Sequence, residues 1–456
     1  MLSWLQLAER ELLMFAAFWF TIGLVDEFAI DALWAVLRLR GRIVTGRLPD
    51  GYGQAPLGQR MAVFLPAWGE AAIIATTVSA ILQRWQQEEL RLYVGVYRND
   101  AATLDAAMAA ARGDPRARIA VLDGCGPSTK ADCLNRLYSA LEGDEHREGA
   151  AFGAVVLQDA EDLVHPAGLQ LLAEALHEVD FAQLPVRAEP VPGSRWIAGH
   201  YIDEFAESHA KALPVRGALG AGLPAAGVGC GFSRAALGRL AAARPQGPFH
   251  AASLTEDYEL GLLLSRGGRG SRFLRMRDAD GTLVATRSCF PPTFEAAVRQ
   301  KSRWIHGIAL QGWDHLGWLS APVDLWMMLR DRRGPLTALV LVSAYLLAAV
   351  ELVLVAAHAL GMQGAAPEAP LVRYLAWLSM SAFAWRAGVR AISTTHEYGL
   401  GEGLLAVPRI VVSNVVAIAA ARRALGAYLR SLRGAAVRWE KTVHDAHPAR
   451  MVQGPA

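Results

Sequence analysis

Long, uninterrupted apolar runs lie towards both ends of the chain, with a region of shorter runs between them. The long runs cover about residues 12–37, 335–360 and 371–392, and each is long enough to cross a hydrocarbon core of about 30 Å. These three runs predict transmembrane helices. A fourth patch at 410–421 holds only about a dozen residues between arginines, which predicts an interfacial or re-entrant helix.

The basic residues beside these runs predict the orientation of the chain in a membrane. Arginines follow the first run and precede the second: Arg38, Arg40, Arg42, Arg47, Arg330, Arg332 and Arg333. Because basic residues stay on the cytoplasmic side, the region between the two runs is predicted to be cytosolic. The connector at 361–370 has no basic residue and predicts an external turn.

The central region, from residue 60 to about 270, alternates short apolar runs with stretches of helical periodicity. This alternation predicts an α/β domain with a mixed, largely parallel sheet and helices on both faces. Ligands bind beyond the carboxyl ends of the strands in such sheets, so the informative polar residues lie at 66–70, 98–100 and 159–162. The prediction divides the chain into four parts. Residues 1–48 form a transmembrane helix, and 49–330 form a cytosolic domain with interface helices. Residues 331–395 form two transmembrane helices, and 396–456 form an interfacial helix and a cytosolic tail.

Composition and missing motifs exclude several classes of protein. Of the 456 residues, 53% are hydrophobic and four are cysteines, which excludes a disordered chain and a small disulfide scaffold. The 45 basic and 43 acidic residues nearly cancel, so no bulk charge favours nucleic acid. No P-loop, HExxH or GxSxG motif occurs. The four cysteines lack metal or disulfide spacing and predict buried thiols in a reducing compartment: Cys125, Cys133, Cys230 and Cys289.

Three carboxylates follow the predicted strand that ends near Leu157. Asp159, Glu161 and Asp162 supply hard oxygen ligands, which suit Mg²⁺ or Mn²⁺ bridging the phosphates of a nucleotide. The alternative is a solvated acidic loop in which Asp162 or a neighbour caps the next helix.

Two further motifs carry candidate chemistry. Glu256 and Asp257 follow Thr255 just ahead of a helix, and the alternative interpretation is a helix cap with acids in the first turn. Gln300, Arg303 and Trp304 have helical spacing and share a face, which could hold a pyrophosphate and stack a sugar. The same residues fit a basic amphipathic helix at a membrane interface.

These motifs, in this order, resemble the family 2 glycosyltransferases of the membrane-embedded, processive QxxRW type. The matching stretches are FLPAWGE with Asp100 in YRND, QDAED, TED and QKSRW, over roughly residues 60–330. With the tail RWEKTVHDAHP, they resemble in particular the inner-membrane, NfrB-type glycosyltransferases of bacteriophage-adsorption exopolysaccharide systems. The resemblance implies a GT-A fold, a divalent cation (Mg²⁺ or Mn²⁺) and inverting transfer from a nucleotide sugar, UDP-linked in our prediction.

The resemblance also implies roles for individual residues. Asp257 would be the general base, with Glu256 beside it as the second catalytic carboxylate, and Arg303 would neutralise the leaving diphosphate. Asp159 and Glu161 would take the metal-binding DxD positions, although Glu161 replaces the usual aspartate and Asp162 follows at once. The implied substrate-binding residues are Pro66, Glu70 and Asp100 for the nucleoside, Lys130 and Asn135 for the base or phosphate, Gln300 and Trp304 for the acceptor sugar, and Gly229 and Gly231 for an acceptor loop.

A turn before the helix at Ser233 explains the two glycines equally well. The resemblance places the chain in the bacterial inner membrane as a multi-pass protein with a cytosolic catalytic domain. The expected partners are membrane lipid, a glycan acceptor, and accessory, export or regulatory subunits. An export subunit is expected because three spans make a wide channel hard to build. A regulatory subunit is expected because the chain ends soon after His447. The alternatives are a non-catalytic subunit, or one that transfers a single sugar to a lipid acceptor, within a surface-polysaccharide or phage-receptor system.

Overall fold

The central apolar runs form buried strands in the computed structural model, which describes residues 2–318, 321–361, 370–434 and 447–449. The strands are β1 (Gly46–Arg47), β2 (Met61–Ala67), β3 (Leu90–Tyr97), β4 (Ala117–Leu122), β5 (Ala154–Leu157), β6 (Phe181–Gln183), β7 (Val186–Ala188), β8 (Cys230–Ser233), β9 (Ser271–Phe273), β10 (Met276–Arg277) and β11 (Thr286–Ser288). Seven of them make one sheet in the order β4-β3-β2-β5-β8-β6-β9. Only β8 runs antiparallel to its neighbours in that sheet, so the predicted mixed, largely parallel sheet is confirmed.

Helices cover both faces of the sheet, because alternate residues of each strand point to opposite sides. Met61, Val63 and Leu65 of β2 belong to one core, whereas Ala62 and Phe64 belong to the other. The first core contains side chains of α2 (Ile74–Arg84), α3 (Ala101–Ala111) and α5 (Gly168–Glu178). The second contains side chains of α4 (Lys130–Glu148), α8 (Arg234–Ala243) and α9 (Glu256–Arg266).

The remaining helices connect this domain to the apolar ends of the chain. They are α1 (Leu2–Leu39), α6 (Gly199–Glu207), α7 (Leu213–Ala218), α10 (Phe294–Trp304), α11 (Gly312–Leu316), α12 (Pro322–Arg332), α13 (Gly334–Ala359), α14 (Pro370–Tyr398) and α15 (Leu400–Ser431), with π-helical turns at Ser208–Ala212 and Ile305–Gln311. Short parallel pairs join β1 to β10 and β7 to β11. Residues 362–369 of the predicted external turn and most of the tail motif lie outside the described residues.

Three helices in the described part of the chain are long and apolar enough to cross a membrane: Trp4–Leu39, Gly334–Ala359 and Leu400–Ser431. The first two match the predicted spans. The third was predicted to be a short segment, and that expectation is wrong because its apolar patch belongs to a continuous helix of 32 residues. The predicted third span forms α14, which carries Arg386 and Arg390 and is not among these three helices.

An ion-pair network joins α1 to the rest of the protein at the level of its three acidic residues. Asp26 and Glu27 each pair with Arg330 and Arg333, and Asp31 pairs with Lys211. Arg386 of α14 pairs with Glu27 at 3.3 Å and also with Glu207. The acidic half of α1 is therefore packed against charged partners, while its first half exposes large apolar side chains to the surroundings: Trp4, Leu7, Met14, Phe18 and Ile22.

Helix α15 lies along the central domain rather than pointing away from it. Glu402 near its start pairs with Arg195 at 3.3 Å, and the Tyr428 hydroxyl near its end donates to Asp314 at 3.3 Å. These two contacts are separated by about 39 Å of helix at about 1.5 Å per residue. One face of α15 packs on the domain, and the other exposes large apolar side chains along its whole length: Leu400, Leu404, Val407, Val411, Val415, Leu425 and Leu429. This arrangement is typical of a helix lying in a membrane interface.

Replacing Arg409 should detach α15 from the domain. Its guanidinium is 1% exposed and donates to Asp203 Oδ1 at 3.1 Å, to the Arg195 carbonyl at 2.8 Å and to Glu402. Arg409→Ala leaves two carboxylates without their buried partner, and we expect a loss of about 3 kcal/mol of stability. The measurement is the thermal unfolding midpoint of the detergent-solubilised protein. Arg422→Ala, at an exposed position of the same helix, is the matched control and should leave the midpoint unchanged.

Candidate active site

A cavity of about 510 Å³ opens at the carboxyl ends of β2 and β5. The chain proceeds outward from β2 through β3 to β4 on one side and continues through β5 on the other, so this point is the topological switch of the sheet. Loops that follow adjacent strands diverge there and leave a crevice, which is where α/β sheets bind ligands. Most of the predicted site residues line the cavity: Pro66, Glu70, Lys130, Asp159, Glu161, Asp162, Glu256, Asp257, Gln300, Arg303 and Trp304.

The acidic loop after β5 is packed into the protein on one side and faces the cavity on the other. Asp162 is 1% exposed; its Oδ2 accepts from the Asp159 backbone N–H at 2.9 Å, and its Oδ1 accepts from the Ser288 hydroxyl. Burial raises the pKa of Asp162 well above its usual range, and the charges of Asp159 and Glu161 raise it further. Asp162 therefore braces the loop, and the predicted alternative of a solvated loop with a helix cap is wrong.

The carboxylates of this loop fit a divalent cation. Asp159 is partly exposed to the cavity and pairs with Lys130 Nζ at 2.5 Å, and Glu161 also lines the cavity. Carboxylate oxygens without nitrogen or sulfur donors are the ligand type that Mg²⁺ and Mn²⁺ prefer. With both Asp162 oxygens engaged within the protein, Asp159 and Glu161 are the residues best placed to reach a bound ion.

The start of α9 brings two more carboxylates to the same cavity. Burial is the main cause that raises the pKa of Glu256 to about 7, followed by the charge of Asp257. Burial also raises the pKa of Asp257, but the ammonium of Lys130 opposes that rise. A Cβ at Gly227, whose φ is +80°, would collide with Asp257, so this glycine lets the backbone approach the acids closely.

Thr255 occupies the N-cap position of α9 and acids lie in the first turn, as the alternative interpretation predicted, but the capping hydrogen bond is missing. No side-chain capping bond forms at the start of the helix, and Thr255 Oγ1 is buried without a hydrogen-bond partner among the described residues. Gln300 Oε1 is buried without a partner in the same sense, and both residues line the cavity. The two unpaired atoms are enclosed by protein rather than open to the cavity, and Thr255 Oγ1 lies near Gly307.

Helix α10 places the QxxRW residues opposite the carboxylates. The positive charge of Arg303 opposes the rise in pKa at both Glu256 and Asp257, as expected for a guanidinium near both groups. Trp304 lies edge-on to Tyr201, with ring centroids 6.1 Å apart. Gln300 is buried against the domain. The alternative of a basic helix exposed at a membrane interface is therefore wrong for these residues.

Four predicted substrate-binding residues are not among those that line the cavity. Asp100 caps α3 and accepts from the Gly69 N–H at 2.5 Å, so it orients the loop after β2 from behind. Asn135 bonds the backbone N–H and C=O of Phe249 at 3.0 Å and 2.8 Å, which occupies its amide. Gly229, with a φ of +58°, lies in a turn before β8, as the alternative interpretation predicted. Gly231 pairs within β8 and packs against Leu176, so the predicted turn is wrong for Gly231.

The tertiary structure brings two further residues to the site that were not predicted from the sequence, Glu204 and His447. Glu204 of α6 lines the cavity and pairs with Lys301, and no motif around it signalled this position. His447 is buried, and its Nε2 lies 3.1 Å from Thr77 Oγ1 and 3.2 Å from the Asp162 carbonyl oxygen. The tail motif RWEKTVHDAHP, which contains His447, was the one available signal for it. Among the cysteines, Cys125 is exposed rather than buried as predicted.

The motifs and the fold agree with comparisons against known proteins. The family model described as "Glycosyltransferase like family 2" matches residues 59–307, which include every cavity-lining residue except Ile308 and Asp331. The chain belongs to this glycosyltransferase family. The family domain coincides with the seven-stranded sheet, its helices and α10.

Two curated relatives match this family member over nearly its whole length. Bacteriophage adsorption protein B of Escherichia coli K12 and bacteriophage N4 adsorption protein B of Escherichia coli O157:H7 are each 32% identical over 473 residues, covering 97% of this chain. The match covers 63% of each relative, so the chain spans less than two thirds of their length.

Solved glycosyltransferases are similar at lower identity. The mannosyltransferase PcManGT of Pyrobaculum calidifontis, in complex with GDP-Man and Mn²⁺, is 18% identical with a TM-score of 0.49, over 87% of this chain and 99% of that one. Glucosyl-3-phosphoglycerate synthase of Mycobacterium tuberculosis, with Mn²⁺, UDP and phosphoglyceric acid, is 18% identical with a TM-score of 0.36, over 58% of this chain and 84% of that one.

Replacing His447 should loosen the acidic loop of this glycosyltransferase from behind. His447→Ala removes a hydrogen-bonding partner of the Asp162 carbonyl, and outer contacts of this kind typically change metal affinity by about tenfold or more. We expect Mn²⁺ binding, followed by electron paramagnetic resonance, to weaken about tenfold. His146→Ala, on the exposed side of α4, is the control. Equal Mn²⁺ affinity in the two variants would contradict this role.

Proposed function

We propose that this chain is a membrane-bound inverting glycosyltransferase that extends an exopolysaccharide from a nucleotide-sugar donor, most simply a UDP-sugar, and passes the product outward. One observation carries the proposal: carboxylates from two distant segments meet the Lys130 and Arg303 cations in a single cavity at the switch point of the sheet. A hexosyl or hexosaminyl donor is the substrate class that this family membership favours.

The donor diphosphate is proposed to lie between the acidic loop and the cations. Asp159 and Glu161 would hold Mg²⁺ or Mn²⁺, which when bound would neutralise charge on the diphosphate. Pro66 and Glu70, after β2, would contact the nucleoside. Lys130 now pairs with Asp159 and would be free to contact phosphate oxygens once a cation takes over that carboxylate.

Inversion requires one base on the side of the anomeric carbon opposite the departing nucleotide. In the proposed step the acceptor hydroxyl gives its proton to Asp257, and its oxygen forms the new bond to the anomeric carbon. The bond to the nucleoside diphosphate breaks, and the diphosphate leaves with the electron pair beside Arg303. Gln300 and Trp304, which line the same cavity, would hold the acceptor sugar.

A second cavity favours a glycan over a lipid-linked acceptor. It has a volume of about 310 Å³, shares Glu204, Phe205 and Ser208 with the first, and reaches Ile30 of α1. Its three lining arginines each pair with a carboxylate of the protein: Arg216, Arg330 and Arg333. Because those charges are already compensated, the passage suits an uncharged sugar chain better than a lipid diphosphate.

The contacts of the helices support a membrane arrangement with α1, α13 and α14 as spans. Each has one end tied to the domain and another section that exposes apolar side chains, whereas α15 touches the domain at both ends and would lie in the interface. We therefore place the protein in the bacterial inner membrane with a cytosolic catalytic domain. Accessory subunits for export or regulation would complete the system. The curated relatives that it resembles are named bacteriophage adsorption proteins.

Asp257→Asn should abolish transfer while leaving donor binding in place. Losing a positioned base typically lowers the rate by about 10² to 10⁴-fold. The measurement is sugar transfer from a panel of radiolabelled nucleotide sugars in purified membranes, together with calorimetric titration of UDP and Mn²⁺. Asp105→Asn, an exposed carboxylate on α3, is the control. Full activity in Asp257→Asn would overturn the assignment of Asp257 as the general base. If the wild type is active but makes only lipids that carry a single added sugar, the result would favour a lipid acceptor over a growing glycan.

Removing divalent cations should stop transfer reversibly. We expect chelation to abolish activity, and Mn²⁺ or Mg²⁺ to restore it, because Asp159 and Glu161 offer the oxygen ligands these ions need. Asp159→Asn should require a metal concentration about tenfold higher for half-maximal activity. A wild-type chain that binds neither UDP nor Mn²⁺ would instead support a non-catalytic subunit.

A further inference from the structure

Two histidines and a glutamate converge outside the active-site cavity. His250 precedes α9, Glu259 lies within α9, and His315 lies in α11. His250 Nδ1 is 3.1 Å from Glu259 Oε2, and His315 Nδ1 is 2.7 Å from Glu259 Oε1. Candidate ligand atoms of the three residues all lie within 4.8 Å of one another. Their grouping comes from the fold, since His250 and His315 are far apart in the sequence.

The dimensions of this cluster suit a tetrahedral metal ion. Bonds of about 2.0 to 2.1 Å to nitrogen or oxygen place tetrahedral ligand atoms about 3.3 Å from each other. The two nitrogen–oxygen separations here are 3.1 Å and 2.7 Å. Glu259 is buried and the two imidazoles are partly exposed, which leaves an entry path and one open position for water. Two imidazoles and one carboxylate form a donor set that Zn²⁺ accepts and that Mg²⁺ rarely uses.

The surroundings of Glu259 hold its carboxylate in place for such a role. The Ser253 hydroxyl donates to Glu259 Oε1 at 2.5 Å, in the manner of the outer hydrogen bonds that orient metal-binding carboxylates. The imidazole rings of His250 and His315 meet edge to face with centroids 4.6 Å apart. Both rings thus direct a nitrogen towards the same carboxylate from different elements.

We propose that His250, Glu259 and His315 bind a Zn²⁺-class transition-metal ion that is separate from the cation of the active site. The ion would fasten α9 to α11, and α11 continues from α10 through the π-helical turn at Ile305–Gln311. Neighbouring contacts also join the start of α9 to the π-helical turn. The Leu254 N–H donates to Gln311 Oε1 at 3.2 Å, and Thr255 lies against Gly307.

This metal clamp would fix the distance between the two halves of the active site. Asp257 lies two residues before Glu259 in α9, and α11 follows α10, which carries Arg303, so an ion that joins α9 to α11 would restrain both groups. Binding of the ion does not depend on the proposed transfer reaction. Only the effect of the ion on the positions of the catalytic groups rests on the proposed glycosyl transfer.

The test uses the full chain, purified in detergent with an affinity tag that contains no histidine. After chelation, the protein is titrated with Zn²⁺ and, separately, Co²⁺, in the presence of excess Mg²⁺ to occupy the carboxylate site. We expect about one bound equivalent, tetrahedral Co²⁺ absorption in the visible range, and a higher unfolding midpoint with Zn²⁺. Elemental analysis of the protein gives the stoichiometry independently.

Variants separate this site from other sources of metal binding. His250→Gln and His315→Gln should each lose the stoichiometric Zn²⁺ and the Co²⁺ spectrum, while their metal-free unfolding midpoints stay close to that of the wild type. His177→Gln, at an exposed histidine of α5, and Asp159→Asn should both retain the ion. Absence of Zn²⁺ from the wild type, or its retention in both cluster variants, would overturn the proposal, whatever the outcome of the transfer assay.

Discussion

Like charges gathered in one partly buried cavity repel one another, and the active site depends on the cation that offsets this repulsion. Burial alone would lower the pKa of Lys130, but the carboxylates of Asp159, Glu256 and Asp257 outweigh burial and raise it. Lys130 is the first residue of α4, just after Thr129 caps that helix, so the position of the ammonium is set by the packing of α4 on the sheet. The acids can therefore stand together without a bound substrate.

Buried acidic residues are also compensated by basic side chains where the central domain meets α1. Asp26, Glu27 and Asp31 would be costly on a lone helix in hydrocarbon, yet each is matched by a basic side chain of another element. Separating α1 from the domain would leave several charges without partners at once. The network thus fixes the height of the catalytic domain relative to α1, and the second cavity reaches this junction.

Helix α15 connects the apolar end of the chain to the proposed acceptor side of the active site. Val416 of α15 shares a core with Ala297 of α10 and with Tyr201 and Phe290, and Trp304 packs against that core. Helix α15 therefore supports Trp304 from the side of the domain on which the apolar helices lie. Arg409 of α15 is buried beside Asp203 of α6, and this ion pair holds the two helices together.

The sequence by itself determined the α/β class, the strands β2 to β5 and most of the cavity lining, because periodicity and strand-end polarity are local properties of the chain. It misjudged α15, since a short apolar patch gives no measure of how far a helix continues in contact with a domain. Tertiary structure decided that Asp162 braces the loop, that Asn135 binds Phe249, and that Glu204 and His447 join the site. Those outcomes depend on which distant atoms complete each hydrogen bond, and spacing along the chain carries no record of that.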